Sequence, residues 1–284
     1  MDALRFAKMS GAGNDFIVID NRRTPAPAVT AEEIRRLCAR RHAVGADGLM
    51  LLEDSAAADF AMRYFNADGS AAAMCGNGGR CIARFAVLLG LVPEAQEMEF
   101  ATPAGAYRAR VEGKQVQLQL PPPAAWRQDI RFELPAGERS ADYMETGVPH
   151  VVLFTPDADA EDVSGLGRAI RFHARLQPAG ANVNFCQVLD EHRLRLRTYE
   201  RGVEGETLAC GTGAAAAALL AARRDLVRPP VSVQTRGGEW LELSFQLRNG
   251  EFHEIRQRGE ARLIYWGELA PEALDFTLPE PGNR

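Results

Sequence analysis

Two cysteines open the same short pattern. Cys75 begins Cys-Gly-Asn-Gly and Cys210 begins Cys-Gly-Thr-Gly, and each runs into a long apolar segment. Glycines just after a strand let the backbone turn tightly and leave N–H groups unobstructed. The first N–H groups of a helix have no internal partner and carry partial positive charge. Each pattern therefore makes an anion site fit for a carboxylate. The same field favours the thiolate form of a cysteine placed there. Two such thiols on opposite sides of one carboxylate-bearing molecule suit inversion at an acidic carbon. One thiolate removes the α-proton, and the other thiol delivers a proton to the opposite face. Two helix N-termini aimed at the α-carboxylate stabilise the charge that develops there. A lone cysteine at a helix start is usually a small buried residue. The repetition of the pattern is what turns the reading towards chemistry.

The usual alternative for this chemistry is pyridoxal, which needs a Schiff-base lysine. Of 33 basic residues only Lys8 and Lys114 are lysines, and neither stands in a setting for that role. No cofactor is expected. Cys75 and Cys81 lack a Cys-x-x-Cys partner pattern or matching histidines, so no metal is expected either. Cys38, Cys81 and Cys186 fall inside elements and read as core filler. "GAGNDF" lacks the third glycine and the βαβ context of a dinucleotide fingerprint.

The elements around the two cysteines repeat. "ALRFAKMSGAGNDFIVIDNR" reads as strand, turn, strand. "TAEEIRRLCARRHAVGADG" is a helix that Thr30 can cap, with Glu33 three residues on. "LMLLEDS" and "DFAMRYFNADGS" are strands, "GNGGRCIARFAVLLGLV" is a helix, and alternating strands follow. "PPPAAW" breaks the pattern as a linker. The second half offers a similar set, with its own helix at "CGTGAAAAALLAARRD". "MRYFNADGSAAAMCGNGGRC" lies beside "LRTYERGVEGETLACGTGAA" with one gap, which puts Glu200 at the place of Asn66. "GNDFIVID" lies beside "VNFCQVLD". The expected fold class is α/β (α+β): two homologous domains related by a pseudo-two-fold axis, each a mainly antiparallel barrel or sheet around a central helix. The domains are expected at 1–122, joined by 268–284, and at 123–267, with the active site in the cleft between them.

The remaining numbers bound the setting. A chain of 284 residues, 46% hydrophobic and 25% charged, suits a globular protein with a sizeable core. A net charge of −5 gives no nucleic-acid footprint. No apolar run is long enough for a membrane span, and the start does not read as a signal peptide. An odd cysteine count of five fits a reduced, cytoplasmic protein.

These residues resemble the diaminopimelate epimerase family nearly end to end. "KMSGAGNDFIVID", "FNADGSAAAMCGNGGRC", "GVPHVV", "NVNFCQV" and "YERGVEGETLACGTGAAAA" look like the family's blocks in the family's order. The resemblance implies a pyridoxal-independent isomerase that interconverts LL- and meso-diaminopimelate, on the way to lysine and peptidoglycan precursors. It implies Cys75 and Cys210 as the acid/base pair, with His150 and Glu200 tuning their protonation. It implies Gly76, Asn77, Gly211 and Thr212 around the α-carboxylate and Asn14 placing the reacting end. Asn66, Asn182, Glu200 and Arg201 are implied at the distal end. A small amino-acid substrate and a homodimer are expected, with no nucleic acid and no membrane. Gly48 and Val148 depart from the Gln and Asn that many relatives carry, and "RGVEGET" is one residue longer than the commonest form. A related racemase of another amino acid, such as histidine, is therefore the alternative. A thiol redox switch and a non-catalytic amino-acid binder are the readings from other classes.

Overall fold

The computed structural model describes residues 4–22, 29–135 and 137–277. The last part of the expected segment 268–284 therefore lies outside the described residues. The fold is α+β, and the chain divides into two compact units, 1–118 with 260–284, and 119–259.

In the first unit the strand Arg262–Glu268 pairs with Arg5–Gly11, which pairs with Asn14–Asp20. Gly48–Glu53, Phe60–Asn66, Glu97–Thr102, Gly105–Glu112 and Gln115–Gln119 follow in spatial order. In the second unit Trp126–Leu134, Gly137–Glu145, Pro149–Phe154, Asn182–Asp190, Arg193–Glu200, Val231–Gln234, Trp240–Arg248 and Glu251–Glu260 are neighbours in turn. Both units show the same succession of directions: antiparallel, antiparallel, parallel, antiparallel, parallel, antiparallel, antiparallel. The repeat read from the sequence is thus a repeat of topology. Its first strand differs in origin. The second unit takes it from Trp126–Leu134, just ahead of its neighbour, whereas the first takes it from the far end of the chain.

The topology corrects one alignment. Asn14–Asp20 has its counterpart in Pro149–Phe154, not in Asn182–Asp190, because both come before the parallel crossover. Gly48–Glu53 is the counterpart of Asn182–Asp190. The parallel registers Phe16 with Gly48 and His150 with Asn182 then make Phe16 equivalent to His150. The next pairs, Met50 with Tyr64 and Asn184 with Thr198, make Met50 equivalent to Asn184. Apolar strands of similar length slide past one another easily in a sequence comparison, and only pairing fixes their register. Trp126–Leu134 and Gly137–Glu145 form a hairpin directly after the Pro-rich linker.

Four α-helices are present among the described residues: α1 (Ala31–Cys38), α2 (Gly76–Leu88), α3 (Val163–Arg171) and α4 (Gly211–Arg223). In α1 the Thr30 hydroxyl accepts from Glu33 N at 3.2 Å, and the Glu33 carboxylate accepts from Thr30 N at 2.7 Å. This is the expected capping box. α2 and α4 are the central helices. α4 is buried from Gly213 to Ala222 and packs against strands 137–145, 149–154, 182–190, 193–200, 231–234 and 240–248. Its run of alanines answers that enclosure, since a thin helix leaves the surrounding side chains room to meet it. Ala217→Leu is expected to overpack this core and to cost about 1–3 kcal/mol, read as a lower urea midpoint at unchanged m-value.

Candidate active site

Cys75 is the N-cap of α2 and Cys210 the N-cap of α4, both in extended backbone with φ −138° and −130°. The chain leaves a short strand, turns at the cysteine, and starts a helix in each case. The second glycine of each pattern is a packing glycine. A Cβ on Gly78 would stand 2.9 Å from Met50 Sδ, and one on Gly213 would run into Asn184 Oδ1. Each helix start therefore rests directly on the strand beneath it. Burial pushes the Cys38 and Cys186 thiols up to about 12, so neither forms thiolate in the neutral range.

The surroundings of Cys75 form one bonded chain in the first unit. Gly78 N–H donates to Cys75 Sγ at 3.4 Å. Buried Arg80 donates to Asn77 Oδ1 at 2.5 Å, Asn77 Nδ2 donates to Asn14 Oδ1 at 2.7 Å, and Asn14 Nδ2 donates to Asp47 Oδ2 at 3.0 Å. Arg40 pairs with both Asp47 and Asp15, and Lys8 pairs with Asp15 at 2.8 Å and donates to Gly45 O. Burial alone would raise the Asp15 pKa, but Arg40 and Lys8 hold it down at about 2. The chain fixes both amides: the oxygens of Asn14 and Asn77 are occupied, and among the described residues each Nδ2 uses one of its two N–H groups. Lys8 is committed to an ion pair, which suits a structural lysine and not a Schiff base. Asn66 donates to Ser70 Oγ at 3.0 Å across the turn that follows its strand. Gly48 is buried, and a Cβ there would stand 2.5 Å from Phe65 O and 2.6 Å from the Tyr64 ring. The Tyr64 side chain thus fills the space beside Gly48.

The second unit builds Cys210 differently. Its thiol lies 3.6 Å from Thr212 Oγ1, and Thr212 Oγ1 lies 3.0 Å from His150 Nε2. His150 Nδ1 lies 3.1 Å from Asn184 Nδ2, which also donates to Val151 O at 3.0 Å. Thr198 donates to Asn184 Oδ1 at 2.9 Å. Burial, aided by the charge of Arg201, lowers His150 to about 3, so the imidazole is neutral. Thr146 donates to Thr212 O and Gln257 to Gly211 O, fastening the first turn of α4. Asn182 accepts from Arg201 N at 2.8 Å, the Arg201 guanidinium donates to Ala179 O, and Thr207 donates to the Glu200 carboxylate at 2.8 Å. Val148, at the position of the expected Asn, is half-buried.

Within the first unit Cys75, Asn77 and Asn14 are brought together, and within the second Cys210, Thr212 and His150, as are Asn182 with Arg201. Asn184 was missed. Its signal lay in "NVNFCQV", where a polar residue sits between apolar ones on a buried strand.

A family model described as diaminopimelate epimerase matches residues 6–123 and 143–264. The chain belongs to the diaminopimelate epimerase family. It is 41% identical to the diaminopimelate epimerase of Aquifex aeolicus over 96% of this chain and 100% of that one. It is 45% identical to that of Chlorobaculum tepidum over 92% and 99%. Among solved structures, a probable proline racemase from Agrobacterium radiobacter is similar at TM-score 0.72 and 19% identity, covering 97% and 96% of the two chains. A PhzF-family phenazine biosynthesis protein from Bacillus anthracis is similar at 0.73 and 15%, covering 95% and 100%. These two share the fold.

The buried neutral His150 makes a prediction about acid. Unfolded, it takes up a proton below its ordinary 6.5; folded, it does so only near 3. Between these values the unfolded chain binds more protons, so stability falls as the pH falls. His150→Gln is expected to flatten the decline of the urea midpoint across this window. A decline equally steep in the variant would locate the acid sensitivity in other groups.

Proposed function

We propose that this chain is a diaminopimelate epimerase that interconverts LL- and meso-2,6-diaminopimelate by a cofactor-independent two-base mechanism. The observation that carries the reading is the duplicated device: a thiol at the N-cap of a buried helix, once in each unit. The relatives named diaminopimelate epimerase match over nearly the whole of both chains, which favours this substrate over histidine or another amino acid.

In the proposed reaction one thiolate takes the α-proton: the C–H bond breaks and an S–H bond forms. The other thiol gives up its proton to the opposite face of the same carbon and becomes thiolate. The two cysteines thus exchange protonation states in each turnover, and each can start the reverse reaction. N–H groups of Gly76, Asn77, Gly211 and Thr212 receive the charge that moves onto the α-carboxylate. The other N–H groups of Asn14 and Asn77 supply further donors there. At the distal end Arg201 binds the second carboxylate, and Asn66, Asn182 and Glu200 complete the contacts. His150 and Glu200 set the protonation of the thiols. The product feeds lysine and peptidoglycan precursor synthesis in the cytoplasm.

Incubation with LL-diaminopimelate in D2O is expected to place deuterium at one α-carbon without added pyridoxal phosphate. Cys75→Ser and Cys210→Ser are each expected to slow epimerisation by about 10²–10⁴-fold. Turnover at close to the native rate after either change would refute the two-base mechanism, and ligand binding without any exchange would favour the binder.

We also propose a homodimer. The strand Arg262–Glu268 carries exposed Ile264, Tyr265 and Trp266, the last 51% exposed. Tyr265 and Trp266 pack against different rings, Phe6 and Phe85, and the apolar surface they leave exposed along an outer strand suits contact with a second copy. Sedimentation is expected to show a dimer that Trp266→Glu dissociates; a native monomer at micromolar concentration would exclude it.

A further inference from the structure

The two cysteines stand over different floors. In the first unit the positions beneath the helix start are Phe16, Met50 and Tyr64, and the Phe16 and Tyr64 rings meet edge to face. The register-equivalent positions in the second unit are His150, Asn184 and Thr198, all buried and joined by hydrogen bonds. Two repeats with one motif and one topology thus differ in chemistry at three matched positions. Burying an imidazole, an amide and a hydroxyl where the sister unit buries two aromatic rings and a thioether is costly unless every group is satisfied.

The bonds have one consistent direction. A carbonyl can only accept, so the group of Asn184 that lies 3.0 Å from Val151 O is its NH2. The same NH2 faces His150 Nδ1, which must therefore accept. The ring is neutral, so its proton resides on Nε2 and is donated to Thr212 Oγ1. The Thr212 hydroxyl, having accepted, turns its own proton to its other partner among the described residues, Cys210 Sγ.

We propose that Asn184 is a positioning residue that locks His150 in its Nε2–H form and so aims the Thr212 hydroxyl at the Cys210 sulfur. The row runs Asn184 to His150 to Thr212 to Cys210, each donating to the next. Each donor polarises the one after it, and the last hydrogen bond favours the thiolate. His150 acts as a fixed neutral donor in this row. Burial, aided by the charge of Arg201, holds it in that state. At Cys75 the backbone N–H of Gly78 donates to the sulfur, and the matched floor positions there are Phe16, Met50 and Tyr64, so the surroundings of the two thiols of the proposed pair differ. The inference rests on the reading of Cys210 as a proton-transfer thiol, but its tests use no substrate and stand or fall apart from turnover.

The first test is made on the native protein with 15N-labelled histidine. The His150 ring is expected to show a protonated Nε2 and an unprotonated Nδ1 at pH 7. A proton on Nδ1, or on both nitrogens, would overturn the proposal. The second test follows the alkylation of each thiol by iodoacetamide. Asn184→Leu is expected to cut the Cys210 thiolate about tenfold. Its nucleophilicity rises in part compensation, giving a net slowing of about threefold. Cys75 is expected to react at the native rate. Thr212→Val is expected to slow Cys210 similarly, and the double variant to slow it no further, because both changes break one row. Independent, multiplying effects, or an unchanged Cys210 rate in a folded Asn184→Leu protein, would overturn it.

Discussion

Each unit is organised by one constraint: a helix buried on its sides can meet solvent or ligand only at its ends. Sheet strands cover α4 from Gly213 to Ala222, so its unpaired N–H groups and its partial positive charge are concentrated at Cys210. α2 is buried from Asn77 to Ala83, and its N-terminal end lies likewise at Cys75. The packing and hydrogen bonds described near the two cysteines serve that end. Packing glycines let it rest on the floor strand. Thr146 and Gln257 tie down the carbonyls of its first turn in the second unit. The row from Arg80 through Asn77 and Asn14 to Asp47 does comparable work in the first.

Much of this was legible in the sequence because it depends on local residue types. Cys-Gly-x-Gly ahead of an apolar run reports a helix start, and Thr30 with Glu33 reports a cap, whatever lies around them. The equivalence of Asn66 and Glu200 was also legible, since Asn66 lies nine residues before Cys75 and Glu200 ten before Cys210. It agrees with the register, in which Asn66 and Glu200 each lie one step beyond a matched pair, Leu49 with Phe65 and Val183 with Tyr199.

What could not be read depends on pairing between strands distant in the chain. Val, Ile and Leu carry little information about which strand they face, so "GNDFIVID" was matched to the wrong partner. The consequence was chemical as well as topological. Under that alignment Asn14 and Asn184 seemed to be the same residue twice. Under the observed register Asn184 matches Met50, and the polarity beneath α4 emerges as a difference between the units. Asn14 is instead bonded across to Asn77, through a contact no spacing rule anticipates.

The strand Arg262–Glu268 has a consequence for how the molecule is made. The second unit is one continuous stretch of chain, whereas the first is interrupted and recovers its outer strand only from beyond Glu260. A ribosome emits residues in order, and domains generally fold as units. The second unit can therefore close while synthesis continues, whereas the strand Arg5–Gly11 must wait with one hydrogen-bonding edge open. The first part of the chain to emerge is thus the last to be complete, and its early strands are the ones most in need of protection from pairing with other chains.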